Sequence, residues 1–296
     1  MEFDSELHSI FERAQGADTP AGLRDAMAYS LFSSGKRLRP RLVLAASEMV
    51  NLDSAAAVRL AAAIEMYHAF TLIHDDLPCM DNDDFRRGQP SCHKKFGEPL
   101  ALLAGDALLT LSLQVFSEIA PLVSKDAYAR ASTRLFRAMG PSGVMGGQAL
   151  EFLSLDDAGV AVIERIHALK TGALFDAACT VPLELVEASS ADVRRVEDFS
   201  KEIGRSFQTA DDLLDRSADG GDKASDRLNL AHRSDPILLE NDARTRLELR
   251  TKEISERWKS KASSMTVIAQ EISAYLRLWR QSPQFSGSRP GPVGSA

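Results

Sequence analysis

Apolar residues recur at spacings of three and four along most of this chain, and that spacing predicts helices. Leu, Ile and Phe set the rhythm over 4–15 and 20–34, two short helices separated by Gly16 and Pro20. It resumes over 42–50 and is strongest over 53–76. In that stretch Glu65, His68, Leu72 and Asp75 follow spacings of 3, 4 and 3 and share one face, beside a stripe of Leu60, Ile64, Tyr67 and Thr71. A helix that is apolar on most sides and carries one polar stripe lies inside a bundle beside a polar cavity. Pro78 should kink or end it, so helical angles do not place Asp81. Residues 91–120 read as a loop and an apolar helix with Asp106 in its middle. A glycine-rich break from Gly140 to Gly147 precedes a helical stretch that opens with Gln148 and Glu151. Further helices are predicted over 160–186 and 236–281, with a polar, mobile loop at 216–235. No set of alternating runs bounded by turn signals suggests a sheet. The expectation is an all-α protein with one domain over 1–281 and a disordered Pro/Gly/Ser-rich tail over 282–296.

Composition narrows the function classes. With 35 Lys and Arg against 42 Asp and Glu the chain carries a net charge of −7, which argues against a general nucleic-acid binder. Cys79, Cys92 and Cys179 cannot pair completely and form no CxxC, as expected of free thiols in a reducing compartment. The acidic start has no signal-peptide core, and no uninterrupted apolar run is long enough to span a bilayer. A cytoplasmic protein is expected.

The candidate chemistry is local. HDDLPCMDNDDFRRG at 74–88 gathers Asp75, Asp76, Asp81, Asp84, Arg86 and Arg87, a pattern suited to holding a divalent cation and a polyanion together. SSGKRLRPR places Lys36, Arg37, Arg39 and Arg41 within six residues, either a solvated loop or a diphosphate clamp. It is not a P-loop, because the upstream glycine and following Ser or Thr are missing. His68 alone would read as a core histidine, but its alignment with Asp75 favours a functional role. Lys170, in an otherwise mostly apolar stretch, is either a snorkelling lysine or a phosphate ligand. In FQTADDLLD, Gln208, Asp211, Asp212 and Asp215 are offset by 3, 4 and 7 and lie on one narrow face. DDxxD strings occur on solvated helices, yet two acidic clusters in one all-α chain call for cations between them. Mg²⁺ bridging both to a diphosphate would make that diphosphate a leaving group, so the expected chemistry is ionisation at carbon and not phosphoryl transfer. A second basic site of Lys36, Arg39, His68 and Arg87 would hold another diphosphate, and an apolar cavity would take a growing hydrocarbon.

GKRLRP, HDDLPCMDNDDFRRG, GGQ, KTG and FQTADDLLD occur in the order found in the trans-isoprenyl diphosphate synthases, the farnesyl and geranylgeranyl diphosphate synthase family, which the chain closely resembles from Leu23 to about Arg280. The resemblance implies an isoprenoid synthase-type helical bundle around a central cavity, a homodimer, and three Mg²⁺ ions per active site. By position it implies metal ligands at Asp75, Asp76, Asp81, Asp211, Asp212 and Asp215. It implies allylic diphosphate contacts at Arg86, Lys170, Thr171, Gln208 and Lys223, and isopentenyl diphosphate contacts at Lys36, Arg39, His68 and Arg87. Catalysis would rest on Asp75, Asp76, Asp81, Arg86, Lys170, Asp211 and Lys223, with the released diphosphate taking the final proton. Five residues before the first aspartate, Phe70 would floor the chain pocket beside Thr71, which with the Leu-Pro-Cys-Met insertion resembles bacterial farnesyl diphosphate synthases. The expected product is farnesyl diphosphate, with geranyl or geranylgeranyl diphosphate as alternatives.

One segment departs from the family. DKASDRLNLAHRSDP is about two residues shorter than usual, with His232 at the place of the second lysine, Lys223 keeping the first role and Arg233 a substitute for the second. Weaker, pH-dependent retention of the allylic diphosphate is the expectation. A class I terpene cyclase would share the aspartates but not need Lys36, Arg39 and Arg87. A non-catalytic subunit or ligand-binding homologue would keep the fold alone.

Overall fold

Thirteen α-helices form among the described residues of the computed structural model, which are 2–153, 159–217 and 229–281. They are α1 (Glu2–Gln15), α2 (Ala21–Leu31), α3 (Leu38–Val50), α4 (Ser54–Asp75), α5 (Cys92–Phe96), α6 (Glu98–Ser117), α7 (Lys125–Met139), α8 (Val144–Leu153), α9 (Val160–His167), α10 (Ala173–Leu185), α11 (Ser190–Ser217), α12 (Pro236–Trp258) and α13 (Ser263–Tyr275). Part of the loop expected over 216–235 and the whole tail expected over 282–296 lie outside the described residues.

The chain divides into two compact units, Met1–Phe136 with Ala177–Val193, and Arg137–Asp176 with Arg194–Ala296. The first is built on α4, which packs most extensively against α6. The Asp53 carboxylate caps α4 by accepting from the Ala55 and Ala56 amides at 2.9 and 3.1 Å. Its Leu60, Ile64, Met66 and Tyr67 are fully buried with Phe11, Leu42 and Phe116. By length and composition α4 and the segment Glu98–Leu122 could cross a membrane, but 72% of the apolar window of α4 is buried inside the protein. That burial marks it as a core helix. In the second unit Ile163 and Ile166 pack with Leu150 and Leu230, and Leu213 packs with Ala231 and Trp279.

Three local features depart from the spacing. A two-stranded antiparallel hairpin, β1 (Phe85–Arg86) and β2 (Gln89–Pro90), pairs Phe85 with Pro90 and Arg86 with Gln89. Its turn has positive φ at both Arg87 (53°) and Gly88 (77°), the mirror-type geometry that matches strand twist. Two-residue strands leave no alternation to detect. The helix expected over 160–186 is interrupted by a π turn, Ala168–Gly172, between α9 and α10. The glycine break expected over Gly140–Gly147 is only half as long, because α8 already starts at Val144.

Candidate active site

In the first unit α4 ends at Asp75, and the following turn brings the chain back on itself: the Asp81 amide donates to the Asp75 carbonyl at 2.9 Å, and the Asn82 amide to the Leu77 carbonyl at 3.1 Å. This closure, beyond the reach of helical angles, sets the exposed Asp81 beside the half-buried Asp75. Asp76 points elsewhere. It is buried, and its Oδ1 accepts from Arg86 Nε at 2.8 Å and also from Arg86 Nη2. Arg86 Nη2 reaches Asp83 Oδ2 at 3.3 Å. Burial pushes the Asp76 carboxyl up, and the Arg86 hydrogen bond and charge offset part of that. Burial likewise opposes the Arg86 charge, but its bond to Asp76 and the charges of Asp76, Asp83 and Asp75 outweigh it and leave the guanidinium above its ordinary value.

The hairpin sends its two arginines different ways. Arg87 Nη1 donates to Ser33 Oγ at 3.0 Å, carrying its charge into the GKRLRP segment. There Arg39 Nη1 lies 3.3 Å from His68 Nε2. Burial, followed by the charges of Arg39, Arg87, Arg37 and Arg86, holds His68 well below the ordinary imidazole range. His68 is thus neutral, with Nε2 accepting from Arg39 and the proton on Nδ1. The residues expected at one diphosphate, Arg39, His68 and Arg87, do come together, and Lys36 is exposed in the same segment. Arg37 is engaged otherwise, with Nη1 2.6 Å from Glu65 Oε1 and Nε 3.1 Å from Asp4 Oδ1.

Phe70 is nearly buried on α4, its ring edge-on to Tyr67 (5.2 Å) and His74 (4.7 Å). Thr71 Oγ1 donates to the His68 carbonyl at 2.8 Å.

In the second unit a hydrogen-bonded chain links three of the other expected residues, Thr171, Gln208 and Asp212. Thr171 Oγ1 donates to Gln208 Oε1 at 3.1 Å, and Gln208 Nε2 donates to Asp212 Oδ1 at 3.0 Å. Asp212 Oδ2 accepts the Leu230 amide at 3.0 Å, and its carbonyl accepts Asn229 Nδ2 at 2.8 Å. Burial drives the Asp212 carboxyl up to about 6, against the Gln208 and Leu230 hydrogen bonds. Asp211 Oδ1 accepts from the Tyr275 hydroxyl at 2.7 Å. Lys170 Nζ lies 2.6 Å from Glu151 Oε2. His232 ends a short 3₁₀ turn, Leu230–His232, near enough to Asp212 to act on it electrostatically. Lys223 lies outside the described residues.

The partners of these groups were the part hidden in the sequence. Glu65 stood on the polar stripe of α4 and Glu151 three residues after Gln148, so both could have been suspected. Nothing in the spacing links Tyr275 to Asp211, or Asn229 to Asp212. Among the described residues no three His, Cys, Asp or Glu side chains converge as a ready metal cage. The donors are hard carboxylate oxygens, which fits an ion such as Mg²⁺ that completes its shell with phosphate oxygens and water.

Residues 20–265 match the family model described as polyprenyl synthetase, and the chain belongs to that family. It is 42% identical over 201 residues to geranylgeranyl pyrophosphate synthase 9, chloroplastic, of Arabidopsis thaliana, a match covering 66% of this chain and 56% of that protein. It is 40% identical over 219 residues to the farnesyl diphosphate synthase of Geobacillus stearothermophilus, covering 72% and 71%. The chain thus spans little more than half the length of the Arabidopsis relative. Among solved structures, a geranyltransferase from Legionella pneumophila superposes with a TM-score of 0.84 at 31% identity, covering 93% of this chain and 94% of that one. An FPP/GFPP synthase from Zymomonas mobilis gives 0.73 at 31% identity, covering 92% and 97%. The all-α fold read from the spacing is the helical fold of these prenyl-transferring enzymes.

Proposed function

We propose that the protein is a trans-prenyltransferase whose single domain, over 1–281, joins isopentenyl diphosphate to dimethylallyl or geranyl diphosphate. The allylic C–O bond breaks, a carbon–carbon bond forms to isopentenyl diphosphate, and that substrate loses a proton to give a new double bond and free diphosphate. One observation carries this reading. The polar face of α4 presents His68 within a group of arginines and Asp75 beside Asp81, seven residues or about 10 Å further along the axis. Two differently charged sites on one helix suit two diphosphates held with their reacting carbons close, where a terpene cyclase needs only one.

In this reading Asp75, Asp76, Asp81, Asp211, Asp212 and Asp215 would hold Mg²⁺, which when bound neutralises the allylic diphosphate and makes it a leaving group. Arg86 is poised to exchange Asp76 for a phosphate, and Lys170, Thr171, Gln208 and Lys223 would complete that site. Lys36, Arg39 and Arg87 bind and orient isopentenyl diphosphate, with neutral His68 aiming Arg39. The near-buried Phe70, with Thr71 beside it, supports an early floor to the hydrocarbon pocket. The bacterial relative named farnesyl diphosphate synthase agrees with a farnesyl product, while the plant relatives named geranylgeranyl synthases keep the longer product as the alternative. Homodimeric assembly in the cytoplasm belongs to the same reading.

The test is incubation of the purified protein with Mg²⁺, isopentenyl diphosphate and each of the five-, ten- and fifteen-carbon allylic diphosphates, followed by product sizing. Farnesyl diphosphate from the first two and no extension of the third is expected. Product formation without isopentenyl diphosphate would mark a cyclase, and no turnover with any starter a non-catalytic homologue. Phe70→Ala should lengthen the product, and an unchanged length would remove the floor from Phe70.

A further inference from the structure

Glu65 has no role in the reading above, yet it is an expensive residue to keep. It is 4% exposed in the interior of α4, among Ala61, Ala62, Met66 and Ala69, all buried. A carboxylate at such a position needs a bonded cation. Arg37 supplies it at 2.6 Å, and the outer edge of the same guanidinium is taken by Asp4 of α1 at 3.1 Å. With its side chain only 12% exposed, Arg37 is tied between two helices.

The backbone at Arg37 makes that tie consequential. Arg37 caps α3 in the left-handed region, φ 46° and ψ 38°, which a side-chain-bearing residue adopts only where its surroundings hold it. Lys36 precedes it, and Arg39 follows two residues later at His68. On the other side the Arg87 guanidinium lies so close over Gly35 that a Cβ there would be 2.8 Å from Nη1. The segment is therefore pinned at Gly35 by Arg87, at Arg37 by Glu65 and at Arg39 by His68. Glu65 and His68 are three residues apart on one face of α4. Charge adds to the geometry: Arg37, Arg39, Arg86 and Arg87 all act on His68, and the negative charge of Glu65 counters the crowding at Arg87.

We propose that Glu65 is a positioning residue for the isopentenyl diphosphate site, fixing through Arg37 the segment that presents Lys36 and Arg39. Arg37 itself is an anchor and not a phosphate ligand. The inference rests on the prenyltransferase reading for the identity of the ligand.

Glu65→Gln keeps the shape and removes the charge. Steady-state kinetics should show the KM for isopentenyl diphosphate rising about tenfold or more, the size of losing a charged hydrogen bond. The KM for the allylic diphosphate and kcat at saturation should stay within about twofold, since only one substrate's binding is disturbed. Arg37→Gln should reproduce the pattern, and the double variant should be no worse than either single, as for two residues acting as one unit. Equal loss for both substrates, or an unchanged KM for isopentenyl diphosphate, would overturn the proposal. So would an Arg37→Gln defect about tenfold beyond that of Glu65→Gln, because Arg37 would then be touching phosphate. Calorimetric titration of inorganic diphosphate without metal separates the two levels of inference. If the parent fails to turn over isopentenyl diphosphate, the functional reading fails. The positioning role then stands if diphosphate binds the parent and about tenfold more weakly the Glu65→Gln variant, and falls if the two bind alike.

Discussion

Asp212 shows how one residue can carry two demands. Its two carboxylate oxygens are taken by the Gln208 side chain and the Leu230 amide, and burial still pushes it up to about 6. An acid whose folded pKa lies above its unfolded value of 3.8 keeps its proton in the folded chain after the unfolded chain has released it. Stability contributed by Asp212 therefore falls as pH rises from about 4 to about 6, and the penalty is complete above that. Asp212→Asn removes the titration. In chelator, the thermal midpoint of the variant relative to the parent should climb as pH goes from about 4 to about 7. The NH₂ that replaces one acceptor adds a loss independent of pH, so the slope is the readout. A flat difference would mean that Asp212 ionises as an ordinary surface carboxylate does. His68 faces the opposite situation: held neutral among arginines, it serves by accepting a hydrogen bond, not by charge.

At the scale of elements, the second unit depends on how closely α8 meets the π turn. A Cβ on Gly147 would lie 2.3 Å from the Lys170 backbone nitrogen and 2.7 Å from its Cα, so the two backbones touch where no side chain fits. Glu151, four residues on along the same face of α8, then reaches Lys170 Nζ. Such π turns place side chains that a regular helix would rotate away. Gly147→Ala should lower stability by about 1–3 kcal/mol through overpacking against a backbone that cannot yield. The same displacement should lower kcat, since Lys170 and Thr171 move with the turn. Thermal melts and steady-state kinetics check both, and an unaltered melt would show that the turn can retreat freely. The spacing of apolar residues revealed α4 with its polar face, because burial on one side imposes period on the sequence, while of α11 only the acidic face at Gln208, Asp211, Asp212 and Asp215 was legible. It missed the hairpin and the π turn, which depend on a few residues fitting against distant neighbours.

For the whole molecule, the first unit leaves an apolar surface unexplained by its own packing. Leu102, Leu103 and Leu113 of α6 are 46, 53 and 37% exposed, on a helix whose other side is core. Exposed apolar residues gathered on one long helix favour a covering partner, in line with the proposed homodimer. Light scattering should give twice the chain mass, and Leu103→Glu should shift the population toward monomer with the helical circular dichroism retained. A monomeric parent would refute the assembly.

The sequence by itself determined the helical class, the acidic and basic clusters and the polar stripe of α4, since each is written in the period or in the composition of a short stretch. It also carried the resemblance, because the motifs are contiguous. Only the tertiary structure decided what those charges do. Asp81 returns to Asp75 through a backbone hydrogen bond across a turn, Asp76 is claimed by Arg86, Asp211 by Tyr275, and Arg37 by Glu65. Partners 6 to 64 residues apart, met across turns or between helices, leave no periodic trace. Which carboxylate meets which guanidinium is set by the desolvation cost that each buried charge must offset, and that cost exists only once the helices have packed.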